Sequence, residues 1–213
     1  MRTLHRSTLV LLLSLFLAPH SASAYSVAHG RIVDAQGERV QLRGVNWFGF
    51  ETSDHVVHGL WARNWKSMIN QMRELGLNAV RLPVCPATLR GSAPSSINYG
   101  LNPDLAGLDS LGLLDAVVHY LDAQGLYVLF DHHRPDCESI SELWYTARYS
   151  EQEWIADLTF LAARYGAVPG VIGVDPKNEP HGAATWGAGN PATDWNSAAE
   201  RAAAQSGGWP RTG

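Results

Sequence analysis

The stretch Val171 to His181, VIGVDPKNEPH, decides how the rest of this chain is read. Val171, Ile172, Gly173 and Val174 are β-branched or small, the composition of a buried parallel strand, and Pro180 stops the ladder immediately after Glu179. A strand that runs into Asn178-Glu179-Pro180 delivers a carboxyl group to its C-terminal mouth. In α/β barrels that mouth is where chemistry sits, because the loops leaving each strand converge there. Taken alone, the tripeptide fits a solvated glutamate in a turn equally well. The surrounding pattern has to decide.

Working outward, three more apolar runs precede it, at Gln41 to Val45, Ala79 to Leu82 and Leu126 to Phe130. Helical stripes lie between them. Trp65, Met68, Ile69, Met72 and Leu75 fall on one face before Gly76, and Leu111, Leu114, Val117, Val118 and Leu121 repeat the stripe before Gly125. A third helix is predicted over Glu151 to Tyr165, with Trp154, Ile155, Leu158, Leu161 and Ala162 on its apolar face. Short alternating runs around Asp34 to Gly37 predict a small N-terminal hairpin. Strand and helix alternate, as in a TIM-type (β/α)8 barrel. A closed barrel takes eight such units and about 250 residues. Four fit here, so the expectation is an α/β chain truncated to about the first four βα units, over residues 25–202. An irregular tail is expected over 203–213, where Gly207, Gly208 and Pro210 break the helical pattern.

Arg2 and Arg6, the apolar core Leu9 to Leu17 and the triplet Ala22-Ser23-Ala24 have the form of a secretory signal peptide over 1–24. The apolar core is too short for the ~20 residues of a membrane span. A formal net charge of −4 without any basic block argues against nucleic acid or an anionic membrane as partner. Cys85 and Cys137 are the only cysteines; no CxxC metal motif exists, and export permits a disulfide without requiring one. Eight tryptophans are many for this length, and exposed ones can stack on sugar faces, whereas Trp65 and Trp154 sit on helical stripes and are expected in the core.

The other strand ends carry chemistry as well. Strand two ends Val80-Arg81-Leu82-Pro83, and strand three ends Phe130-Asp131-His132-His133-Arg134-Pro135-Asp136. Arginine, histidine, asparagine and glutamate at successive strand ends suit sugar hydrolysis: an acid for the leaving oxygen, an amide for a hydroxyl, and basic groups to fix a second carboxylate. Asp131, His132, His133 and Asp136 are not expected to ligate a metal, since adjacent residues on a strand point to opposite faces. His55 and His58 read as loop histidines. No metal and no cofactor are expected.

Together these strings resemble glycoside hydrolase family 5, in its bacterial secreted endo-β-1,4-glucanase (cellulase) type. The resemblance rests on RGVNWFGFET (Arg43 to Thr52), HGLWARNW (His58 to Trp65), VRLP (Val80 to Pro83), DHHRPDC (Asp131 to Cys137), ELWYT (Glu142 to Thr146), KNEPHGAATWGAGN (Lys177 to Asn190) and TDWNSAAERA (Thr193 to Ala202). It implies that Glu179 is the general acid/base, Asn178 the ligand of the sugar 2-hydroxyl, Arg81 the group that orients the nucleophile, and His133 the shell histidine, with His132 in a variable place. It implies an aromatic subsite at Trp61, whereas Trp47 either lines the cleft or fills the barrel floor. The implied reaction is retaining cleavage of internal β-1,4 bonds in a cellulose-type β-glucan, by a protein secreted to the extracellular space or periplasm. The family's nucleophile, a second glutamate late in the barrel, is absent from this chain, and Glu51 in the GFET string resembles a structural position. In the barrel order so implied, Cys85 and Cys137 follow adjacent strands and a disulfide between them is expected. Pro176 replaces the usual hydrophobic residue of strand four, tolerable if that strand is an edge. The alternatives are a β-mannanase or xyloglucanase of the same family, and a catalytically inactive glycan-binding fragment.

Overall fold

The computed structural model describes residues 25–34 and 36–206; the signal peptide expected over 1–24, and residues 207–213 of the expected tail, lie outside the described residues. The chain opens with an antiparallel pair, β1 (Ser26–Ala28) and β2 (Arg31–Val33). Four parallel strands follow in one sheet, in chain order: β3 (Gly44–Asn46), β4 (Ala79–Val84), β5 (Tyr127–His132) and β6 (Val171–Asp175). The connections carry α1 (Trp65–Glu74), the short α2 (Pro86–Leu89), α3 (Ser110–Ala123) and α4 (Glu151–Tyr165), and α5 (Trp195–Gln205) comes after β6. Among the described residues, no helix is long and apolar enough to cross a membrane. The βα order here is that of a TIM barrel's first units.

Each long helix is started by a side chain that takes an otherwise orphaned backbone N–H. Asn64, Asp109 and Asp194 accept from Ser67, Gly112 and Ser197, and Ser150 forms a reciprocal capping box with Glu153. Alternation in the strands then sorts the faces. Val80, Leu82, Val84, Val128 and Phe130 are fully buried against the helices, in an aliphatic cluster with Ile69, Leu114, Val118 and Leu161. Each such side chain contributes about 1.5–3 kcal/mol of burial. Residues of opposite parity, Arg81 and Asp131, fall on the other face. A second cluster gathers Trp144, Tyr149, Trp154, Ile155 and Leu158 with Ala198 and Ala202 of α5.

The pairing of β5 with β6 is irregular at one place. Val128 lies opposite Val171 and Leu129 opposite Gly173, leaving Ile172 without a partner position. This is a β-bulge on β6.

Several expectations change. The expected hairpin at Asp34 to Gly37 is present but short, an antiparallel bridge of Val33 with Arg39 in which the Asp34 N–H donates to the Glu38 carbonyl and the Val40 N–H to the Ile32 carbonyl, and β1 and β2 form a further hairpin before it. The first barrel strand starts at Gly44 and not at Gln41, since Asn78 bonds both the Arg43 N–H and the Gln41 carbonyl in place of a ladder. Helix α5 continues to Gln205, past the expected tail start at 203, because Ala202, Ala203 and Ala204 are the strongest helix formers. Pro176 stands just beyond β6 and costs the sheet no bond; its carbonyl accepts the Trp154 indole N–H at 2.7 Å.

Candidate active site

Arg81 joins all four strands of the sheet. Its Nη1 lies 3.0 Å from Asp131 Oδ2 and donates to Asn46 Oδ1 at 3.3 Å, while Nη2 donates to Asp175 Oδ2 at 2.6 Å and Asn178 Oδ1 at 3.2 Å. Asn46 belongs to β3, Asp131 to β5 and Asp175 to β6. A rigid planar guanidinium thus sets the spacing of their ends. Asp131 is fully buried; Arg81 compensates its charge, and the same Oδ2 lies 2.6 Å from His133 Nδ1, from which it accepts. With Nδ1–H donating to Asp131, the His133 ring keeps its lone pair at Nε2.

Backbone bonds carry the order past the strand ends. Trp47 donates to the Arg81 carbonyl at 3.0 Å, His133 to Val84 at 2.9 Å, and Asn178 to His132 at 3.2 Å. Asn178 is therefore held at both its backbone and its side chain. Glu179 is exposed and takes a left-handed backbone conformation, φ +46°, unusual for a residue with a Cβ. The flanks impose it. The Glu179 carbonyl accepts His181 Nδ1–H at 2.6 Å, and Glu142 takes the N–H groups of His181, through its carbonyl, and of Ala183, through Oε2 at 2.9 Å. A Cβ on Gly182 would stand 2.3 Å from the Glu142 carboxyl carbon and displace that side chain, and its φ of +56° itself favours glycine.

Lys177 has no role in the sequence reading, yet it is buried at the centre of this cluster and donates from Nζ to the Asn178 carbonyl. Burial pushes its ammonium below the usual lysine range, against the pull of Asp131, Glu179 and Asp175. The only signal for it was a lysine standing immediately before the candidate amide and acid.

Other candidates sort by burial. Trp61 is 47% exposed, edge-on to His58 at 4.3 Å, and His58 stacks on Phe48 at 4.2 Å. Trp47 takes the core alternative: it is 5% exposed, inside the aliphatic cluster, and donates its indole N–H to the His58 carbonyl. Trp65 and Trp154 are buried. Glu51 is buried and its Oε2 accepts the Gly49 N–H at 2.6 Å, pinning a turn. His132 lies among buried groups away from the cluster, with Nε2 at 3.0 Å from the Tyr149 hydroxyl, which donates to Asp157 at 2.7 Å. Burial, then the Asp157 charge, push the Tyr149 phenol well upward. Cys85 and Cys137 form a disulfide, Cα–Cα 5.1 Å, tying the loops that leave β4 and β5. His55 stands beside it, its Nδ1 3.0 Å from Thr88 Oγ1; the two sulfurs near this ring are bonded to each other. Asp136 accepts the N–H groups of Glu138 and Ser139 in a turn.

An exposed carboxyl beside a fixed amide, an imidazole and a buried lysine can protonate a leaving oxygen while holding adjacent hydroxyls. Comparison with known proteins points the same way. Residues 33–205 match the family Cellulase (glycosyl hydrolase family 5). Over 200 residues the chain is 62% identical to the major extracellular endoglucanase of Xanthomonas campestris pv. campestris, covering 93% of this chain and 41% of that protein. An endoglucanase of Paenibacillus polymyxa is 44% identical over 179 residues, 84% of this chain and 45% of its own. The solved catalytic domain of the Xanthomonas endoglucanase has a TM-score of 0.84 at 60% identity, covering 87% of this chain and 55% of that one. A cellotetraose complex of an endocellulase from Pyrococcus horikoshii also has a TM-score of 0.84, at 43% identity, covering 89% and 56%. The chain thus spans about half the length of the relatives it matches.

Proposed function

Since the chain belongs to glycosyl hydrolase family 5, we propose that its strand-end cluster is the acid/base side of a cleft that hydrolyses internal β-1,4-glucosidic bonds of cellulose-type glucan with retention. The observation that carries this reading is the Arg81 fork, which ties Asn46, Asp131, Asp175 and Asn178 together beside the exposed Glu179. Relatives named endoglucanases, and a relative solved with cellotetraose, supply the substrate class.

In the first step Glu179, protonated, gives its proton to the glycosidic oxygen as the C1–O bond breaks; as carboxylate it then takes a proton from the incoming water. Arg81 occupies Asn178 Oδ1, so the Asn178 NH2 is left to donate to the sugar 2-hydroxyl. His133 offers Nε2 to a neighbouring hydroxyl. Lys177, bonded to the Asn178 carbonyl, stands beside the segment that carries Glu179. A retaining reaction needs a second carboxyl about 5 to 5.5 Å from the first. Asp131 and Asp175 are both committed to Arg81, and we assign that nucleophile to polypeptide matching the part of the relatives that this chain does not span. Export through residues 1–24 belongs to the same reading; intact mass of the exported product is expected to begin at Tyr25.

The test is complementation. Tyr25 to Gly213 alone is expected to release no new reducing ends from a soluble β-1,4-glucan. Mixed with the separately produced C-terminal half of the Xanthomonas relative, it is expected to gain turnover that Glu179→Ala abolishes. Turnover by the chain alone would place a nucleophile within it. Equal turnover from wild-type and Glu179→Ala mixtures would remove Glu179 from the chemistry.

A further inference from the structure

Trp61 and Trp186 are the exposed tryptophans among the described residues, and at 58% Trp186 is the more exposed. It stands on the loop that leaves Glu179. That loop is closed on itself: Thr185 bridges to Asp194, its N–H donates to the Thr193 carbonyl at 2.8 Å, and its carbonyl accepts from Trp195 at 2.8 Å. Asp194, the N-cap of α5, also accepts the Gly189 N–H at 3.0 Å. Tyr145 and Arg201 hold the carbonyls of Ala192 and Pro191 at 2.9 and 3.0 Å.

An isolated exposed hydrophobic side chain is ordinary. Here the exposure is enforced. Trp195, bonded to Thr185, packs against Trp144 and Trp154 at 5.8 and 6.1 Å, so an indole on a slack loop would fold onto that cluster and gain its burial. The bridge fixes the backbone on which Trp186 stands. Gly187 and Gly189, at φ +72° and +75°, turn the chain, and the exposed residues 187–189 carry no side chain larger than a methyl group to cover the ring.

We propose that Trp186 is a stacking subsite for a glucose unit of a β-glucan chain, remote from the bond being cleaved; this rests on the reading of the Glu179 cleft given above. A β-1,4-linked glucose presents its axial C–H groups as an apolar face and keeps its hydroxyls at the rim, in water. With the backbone of the loop already held, only the indole's own rotamer remains to be ordered when it meets that face. Trp186 follows Glu179 by seven residues, a contour of at most about 25 Å. A glucan chain engaged at Glu179 and running along this loop meets Trp186 within that length, and the longer the chain, the more of these groups it reaches.

Calorimetric titration of the protein with cellohexaose and cellotriose tests this. Trp186→Ala is expected to weaken cellohexaose binding roughly fivefold or more, with cellotriose changed less than about twofold, at an unaltered melting temperature. Trp186→Phe is expected to restore most of the loss. Unchanged cellohexaose binding by Trp186→Ala overturns the subsite, as does an equal loss for both sugars, which marks a role in the fold. Wild-type protein that binds neither sugar overturns the cleft reading and the subsite with it. Trp61→Ala, expected to weaken both sugars, separates that failure from a failure of Trp186 alone.

Discussion

The two hydrophobic clusters are made of different side chains and hold different parts of the site. Beneath β3, β4 and β5 the packing is mostly aliphatic, with Val80, Leu82, Val84, Val128, Leu114 and Val118 fully buried. Beneath β6 and α5 it is aromatic, with Trp144, Trp154 and Trp195 some 5.8 to 6.1 Å apart. Aliphatic packing fixes volume and strand position, and so the places of Arg81 and Asp131. An indole adds a directed N–H. Trp154 uses its own on the Pro176 carbonyl, at the root of the Lys177 to Glu179 segment, and Trp144 uses its own on Glu151. Damage to the aliphatic cluster should lower stability without singling out one group of the site, whereas damage to the aromatic one should fall first on the acid.

The largest effect is expected for Trp154→Ala, a loss of about 3–5 kcal/mol in urea unfolding. The finer probe is Trp154→Phe, which keeps a ring and removes the bond to Pro176; it should cost about 1 kcal/mol and still weaken cellotriose binding. Leu82→Ala is the counterpart in the aliphatic cluster, at roughly 2–5 kcal/mol. The contrast breaks down if Leu82→Ala, assayed where the protein remains folded, loses as much sugar affinity as Trp154→Phe.

The disulfide lies on the aliphatic side and closes a separation of 52 residues. Replacing both Cys85 and Cys137 by serine is expected to cost about 2–4 kcal/mol, read as a shift in urea midpoint. Loss of sugar binding at low urea would show that the bridge also shapes the mouth.

Acid should produce the smallest effect, and it should touch both clusters alike. Hydrogen bonds from Arg201, and less so from Trp144, hold the Glu151 carboxyl below its ordinary value of 4.5. Burial works the other way at Asp115, where Arg164 and Tyr165 outweigh it and leave the carboxyl below 3.8. A depressed carboxylate contributes stability above its unfolded pKa and loses it as pH falls through the folded one. Stability should therefore decline from about pH 4.5 downward, and Arg201→Gln should flatten part of that decline by less than about 1 kcal/mol, given the partial exposure of the pair. An unchanged slope would remove Glu151 from the acid response.

Much of this arrangement is legible in the sequence where a local pattern dictates it. The stripe from Trp154 to Ala162 predicts α4 with its observed ends, because Ser150 and Glu153 cap it and Gly166 follows. Asn178 and Glu179 follow an apolar run, so their place beyond a strand's end can be read directly, whereas Arg81, expected near the end of strand two, sits inside a strand that continues to Val84. What could not be read depends on distant partners. The Asn78 clamp on Gln41 and Arg43 shortens β3 from 35 or more residues away, and nothing near Gln41 announces it. The pairing of Arg81 with Asp175 spans 94 residues. Lys177 is a surface residue by composition and becomes buried only when Asp131 of β5, Asp175 of β6 and Glu179 gather around it. Trp47 was open between cleft and floor because its neighbours Asn46 and Phe48 suit either; the His58 carbonyl that fixes its indole comes from another loop.

The bulge at Ile172 makes β6 a counting device. Because that residue has no opposite number, its removal would leave Val171 facing Val128 and Gly173 facing Leu129, an uninterrupted ladder with every downstream side chain on its present face. Deleting Val174 is a different event. Asp175 would slide opposite Phe130, its carboxylate would turn into the helix layer, and Arg81 would lose one arm of its fork. Single-codon losses two positions apart are thus expected to have opposite fates, one absorbed by the sheet and the other reversing inside and outside at the residues that carry the acid.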